Sequence, residues 1–248
     1  MMIIPFMFFL CWGSFLNVFA HRLIIRSSLW SRSACPQCFT PIKWYDLIPI
    51  VSWFLLKGRC RYCAKPISLL YPFIELLTAV TCTALLYMVP PHYFLVSFLC
   101  ATAMIITIRT DAEFMLISRL CSLYLVPVGL LASSLDFLPI SFVESLCGTL
   151  IGYSSLALVA YLYKKRTGIT GLGDGDPELL AGIGSCVGVH GIWHVLLIGS
   201  LTATLYACFL MLFYKAGSNT KIPFGPFLAF GAIIALFLPF YRLFDAII

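Results

Sequence analysis

Gly171-Leu172-Gly173-Asp174-Gly175-Asp176-Pro177-Glu178-Leu179-Leu180 places three carboxylates and a glycine-rich backbone at the mouth of an apolar run. Glycine permits positive φ and close approach of another backbone, and Asp176 before Pro177 reads as the N-cap and first position of a helix. A helix cap in a polar loop would account for one such aspartate. The setting argues for more, because a charged residue at the centre of a membrane helix costs roughly 2.5 to 3.5 kcal/mol and is by default a functional candidate.

Outward from this stretch the chain stays apolar. It is 61% hydrophobic and 10% charged, with a mean hydropathy of +1.00, against roughly 25% charged residues in a soluble domain. Runs of about 20 apolar residues cross a hydrocarbon core as helices. Short polar connectors do not fit the alternating strands of a membrane barrel. The expected fold class is therefore all-α: a polytopic membrane helix bundle of about eight spans with a small cytoplasmic zinc-binding loop domain. The spans fall at about 1–20, 68–88, 94–108, 120–134, 139–163, 177–191, 194–214 and 226–241. The first has no basic n-region and reads as a retained helix, not a removed signal peptide. The expected domains are a first membrane helix (1–20), a cytoplasmic zinc-ribbon-like loop (21–67) and a membrane bundle (68–248).

Charge sets the expected orientation. The loop from His21 to Pro66 carries eight Lys and Arg residues against Asp46 alone, which by the positive-inside rule makes it cytoplasmic and both termini periplasmic. On this topology 15 of the 16 basic residues lie inside, Lys215 among them, with only Arg242 outside. The net charge of +6 thus reflects topology and not nucleic-acid binding.

Seven of the eleven cysteines sit in apolar runs as small hydrophobes. The other four form two C-x-x-C pairs, Cys35 with Cys38 and Cys60 with Cys63, separated by 21 residues. Two such knuckles converge four thiolates on zinc and leave no open coordination position, so the metal would be structural. Disulfides and an iron–sulfur cluster are the alternatives; a reducing cytoplasm disfavours the first and the spacing disfavours the second. The apolar run from Leu47 to Leu56, with Trp53, is too short to span and is expected under the zinc fold or at the interface.

Three further polar residues stand out. Asn17 is expected to hydrogen-bond to a neighbouring helix. Glu75 is either functional or paired with Tyr71 or a loop arginine. Asp111, at the inner end of the third span, is the second carboxylate that Asp176 calls for. Two aspartates about 4 Å apart repel by about 4 kcal/mol at an effective dielectric near 20, so they share a proton and divide the roles of base and acid. Hydrolysis of a peptide bond beside a membrane helix is the natural reaction class.

These residues resemble a family. The stretch from Gly173 to Asp176 is similar to the GxGD element of intramembrane aspartic proteases, and the chain as a whole resembles the bacterial type IV prepilin leader peptidases. The likeness includes Gly13 to Asn17 with Arg22, the C-x-x-C pairs, Trp44 and Tyr45 with Ile48 and Pro49, Tyr71, Pro72 and Glu75, and Ile222 to Phe227. Asp174 also ends a G-x-G-D string, but Glu178, Leu179 and Ala181 align the family pattern on Asp176. After the first aspartate the family has Ile-Pro-Asp, where this chain has Ile117, Ser118 and Arg119.

The resemblance implies an inner-membrane enzyme with Asp111 and Asp176 as catalytic residues and Cys35, Cys38, Cys60 and Cys63 as metal ligands. It would cut the basic leader from a prepilin or pseudopilin after glycine at the cytoplasmic face. It would then methylate the new N-terminus with S-adenosylmethionine, an activity associated with the zinc loop. No soluble nucleotide-binding fingerprint is present, so the cofactor-binding residues stay unassigned. Prepilin and membrane lipid are the implied partners, with homo-oligomerisation left open. The rival readings are a peptidase without methyl transfer, a non-enzymatic zinc-containing assembly protein, and a transporter. The last would place acids at the midplane within inverted repeats, and neither is seen.

Overall fold

Long apolar runs without internal proline breaks form helices, and short polar punctuation ends them. The computed structural model describes residues 2–28, 31–214 and 220–239. Its helices are α1 (Ile3–Ile25), α2 (Val51–Leu55), α3 (Leu70–Met88), α4 (Pro91–Phe114), α5 (Leu125–Ser134), α6 (Phe142–Thr167), α7 (Gly175–Tyr214) and α8 (Gly225–Ala235). Among the described residues there is no named strand, and the all-α expectation holds. Among the described residues five helices, α1, α3, α4, α6 and α7, are long and apolar enough to cross a membrane. The fourth expected span appears as the ten-residue α5 and the last as the eleven-residue α8. The expected end of that last span at Tyr241, together with Arg242 and Lys215, lies outside the described residues.

Local chemistry sets the boundaries. Helix α6 opens with a capping box, in which Ser141 and Glu144 satisfy each other's backbone amides, and closes at Gly168 in the left-handed conformation after Lys164, Lys165 and Arg166. Helix α4 runs six residues past the expected end at about 108, to Phe114 before a left-handed Met115, so Asp111 sits within its last turn. The sixth and seventh expected spans are continuous in α7 except at Gly188, where φ 69° and ψ −176° break the helix. Only glycine adopts that conformation at little cost.

The chain divides into two compact units, Met1–Ala84 and Leu85–Ile248. In the first, α1 packs against α3 at Gly13, where a Cβ would lie 2.8 Å from Glu75 Cα. Asn17 Nδ2 donates to the Tyr71 carbonyl at 3.0 Å, the interhelical bond expected of it. In the second unit, α6 and α7 meet through small residues. A Cβ at Gly148 would lie 2.5 Å from the Gly184 carbonyl oxygen, and Ser145 Oγ donates to the Ser185 carbonyl at 2.6 Å. Such close backbone approach is how apolar helices associate where water supplies no driving force between them. Helix α8 lies on α7 at Gly231, where a Cβ would stand 2.9 Å from the Val195 carbonyl oxygen. This packing sets the N-termini of α7 and α8 beside the C-terminal turn of α4.

Candidate active site and metal centre

The two expected aspartates come to neighbouring positions from different helices. Asp111, on the last turn of α4, is 5% exposed, and its Oδ2 accepts from the Gly225 amide at the N-terminus of α8 at 3.0 Å. Asp176, on the first turn of α7, is also 5% exposed, and its Oδ2 accepts from the Gly173 amide at 3.2 Å. The two carboxylates lie close enough to interact electrostatically. Asp174 is exposed. The expected N-cap role of Asp176 is corrected: α7 begins one residue earlier, at Gly175, and the carboxylate reaches back to Gly173.

Ile117 joins the two sides. Its side chain would lie 3.2 Å from a Cβ placed at Gly175 and 3.2 Å from one placed at Gly225. The Ser118 that stands in the family's proline position still closes a turn: its hydroxyl accepts from the Leu120 amide at 3.3 Å and its carbonyl from Cys121 at 2.9 Å. Arg109 is 1% exposed and forms its ion pair with Glu113. Among the described residues no ion pair engages Asp111 or Asp176. Two buried acids with backbone amides as their hydrogen-bond donors, and no cation, are suited to hold and exchange a proton.

The sequence reading missed Gly225. It lies in the Ile222–Phe227 motif that carries part of the resemblance, but a backbone donor 114 residues away from its acceptor leaves no mark in spacing or composition.

In the Met1–Ala84 unit the four cysteines of the C-x-x-C pairs do converge. Their sulfurs lie within 4.8 Å of one another, with Cys35 and Cys63 at 3.9 Å. Tetrahedral zinc at about 2.3 Å from each sulfur needs sulfurs about 3.8 Å apart, so the donor set fits a zinc ion. The two knuckles share one geometry. Phe39 donates to the Cys35 carbonyl at 2.9 Å and Ala64 to the Cys60 carbonyl at 3.0 Å, and Phe39 and Ala64 both take positive φ. Hydrogen bonding to Thr40 pushes the Cys38 thiol down to about 6, while burial and the neighbouring thiols push Cys63 up to about 11. Arg61 donates two hydrogen bonds to Asp46, at 2.8 and 2.6 Å, and holds its carboxyl below the ordinary range.

The apolar segment between the knuckles splits. Trp53 packs against Gly58 and donates to the Ile67 carbonyl at 3.2 Å, while Trp44, Val51, Phe54 and Leu55 are exposed, as a segment resting on a membrane surface would be. Among the described residues Glu75 is paired with neither Tyr71 nor an arginine. It is 7% exposed and accepts from the Ile50 amide at 2.7 Å.

Comparison with known proteins follows the same two-part division. A bacterial peptidase A24 N-terminal domain matches residues 7–89 and the type IV leader peptidase family matches residues 98–215. A prepilin leader peptidase/N-methyltransferase of Aeromonas hydrophila is 34% identical, over 93% of this chain and 88% of that protein. Its counterpart from Xanthomonas campestris is 33% identical over 91% and 87%, and that of Klebsiella pneumoniae 34% identical over 78% and 88%. No solved structure matches. With relatives this similar over nearly their full length, and family matches across both the cysteine loop and the paired aspartates, the chain belongs to the type IV leader peptidase family.

Proposed function

We propose that this chain is a multi-pass inner-membrane prepilin leader peptidase that also methylates the N-terminus it exposes. Family membership and the names of the relatives support both activities. The observation that carries the mechanism is the convergence of Asp111 and Asp176, both buried and neither ion-paired. One carboxylate takes a proton from water while the other donates to the scissile carbonyl, so the dyad works with a single shared proton. The Gly225 and Gly173 amides fix one oxygen of each carboxyl and aim the other.

The substrate is a prepilin or pseudopilin whose basic leader stays at the cytoplasmic face and whose apolar segment lies beside the helices, so membrane anchoring supplies proximity. Cleavage follows glycine. Both termini face the periplasm, as the distribution of Lys and Arg favours. Cys35, Cys38, Cys60 and Cys63 hold a structural zinc that orders the loop of residues 21–67, while residues 68–248 carry the peptidase. S-adenosylmethionine supplies the methyl group. Mass spectrometry of a co-expressed pilin-like substrate tests the reading: wild type yields a shortened, methylated product, and D111N or D176N yields the intact precursor.

A further inference from the structure

Cys100 Sγ lies 2.9 Å from Cys186 Sγ, joining α4 to the arm of α7 that precedes Gly188. Both residues are buried, at 2% and 4% exposure, and neither belongs to the C-x-x-C cluster or the aspartate pair. Two sulfurs at this separation need to close by only about 1 Å to bond.

The contact is held from behind. Beside Cys186, Ser185 Oγ donates to the Gly182 and Leu125 carbonyls at 2.7 and 3.3 Å, and the Ser185 carbonyl accepts from Ser145 at 2.6 Å. Helices α5 and α6 therefore pin the α7 backbone where it presents its sulfur to α4. Cys100 shares α4 with Asp111, and Cys186 shares its arm of α7 with Asp176. At 1.5 Å per residue, sulfur and carboxylate are about 15 Å apart along each helix. The thiol contact is thus a second meeting point of the two helices that carry the dyad. Asp111 and Asp176 are each only 5% exposed, so a peptide bond reaches them only when the helices around them part.

Resting on the aspartate reading above, we propose that Cys100 and Cys186 are a redox modification site. A small neutral oxidant, hydrogen peroxide, converts them to a disulfide that ties α4 to α7 and closes the dyad to substrate. The Cys186 sulfur takes one peroxide oxygen and becomes a sulfenic acid, and water leaves. The Cys100 sulfur then attacks Cys186; the S–S bond forms, and the departing hydroxide carries off the Cys100 proton as a second water. Two thiols lose two electrons, and one peroxide becomes two waters. Burial slows the first step and restricts it to small uncharged reagents, whereas the second joins groups already in contact. The same burial shields the disulfide from glutathione and thioredoxin, which keep thiols reduced in the cytosol.

The test uses the reduced full-length protein in lipid nanodiscs, treated with hydrogen peroxide and, separately, with copper-phenanthroline in air. After denaturation and alkylation of free thiols, peptide mass spectrometry should find the Cys100 and Cys186 peptides joined. Leader removal by the oxidised wild type should fall at least about tenfold and recover with dithiothreitol, which is small and uncharged. C100A, C186A and the double variant should keep their rates through the same treatment. Both cysteines recovered alkylated from the oxidised wild type overturn the site. A joined peptide with an unchanged rate overturns the closure of the dyad, as does an equal loss of rate in the double variant. A reduced wild type that cleaves nothing overturns the peptidase reading and the closure with it, whatever the state of the two thiols.

Discussion

The backbone amide of Gly225 donates to Asp111 Oδ2 at 3.0 Å, so the first turn of α8 orients a carboxylate on the last turn of α4. A Cβ at position 225 would stand 2.6 Å from that same oxygen and 3.2 Å from Ile117 Cδ1. Gly225→Ala therefore has to displace Asp111 or the α8 terminus. Displacement of about 1 Å in a positioning element costs on the order of 100-fold in rate. Leader cleavage by G225A should fall to that extent with membrane insertion intact; a wild-type rate would remove this amide from the mechanism.

Cleavage should have a bell-shaped pH dependence. The dyad needs one carboxylate ionised and the other protonated, so acid that protonates both and base that ionises both each stop the reaction. Initial rates on a pilin-like peptide in nanodiscs, measured across pH, check this. A rate that rises to a plateau with no fall on the alkaline side would contradict a shared proton.

Zinc should be separable from cleavage. Cys35→Ser removes one of four converging thiols, and bound zinc measured by atomic emission should drop from one equivalent toward zero. N-terminal methylation should fall at least about tenfold, while leader removal continues. Chelation of the wild-type protein should have the same effect, more readily at lower pH because protons compete with the metal for thiolate. Unchanged zinc content in C35S would exclude the site.

The α6 and α7 contact should tolerate no side chain at Gly148, where a Cβ meets the Gly184 carbonyl oxygen at 2.5 Å. Gly148→Leu should destabilise the bundle by about 1 to 3 kcal/mol, the usual cost of overpacking, and lower the thermal transition in detergent. An unchanged transition would show that the helices do not depend on this approach.

Hydropathy made the five long helices legible, because each is long enough to be apolar throughout, whereas α5 and α8 form only ten and eleven residues. The C-x-x-C spacing made the four-cysteine cluster legible, because four thiols in two local turns need only one long-range contact to converge. Asp111 and Asp176 were legible as acids placed at the ends of apolar runs. What stayed hidden depends on tertiary partners. The donor to Asp111 is a main-chain group on another helix, and the partner of Glu75 is the amide of Ile50, a residue that propensity would never place at φ 61°. The break in α7 falls at Gly188, inside an apolar run where no polar turn announces it.

The most direct test of the central claim compares D111N and D176N with wild type by mass spectrometry of a co-expressed pilin-like substrate. Each substitution removes one ionisable carboxyl and keeps its shape, so both variants should insert normally and leave the precursor at full mass. A leader removed by either variant at the wild-type rate would contradict the aspartate pair as the catalytic centre.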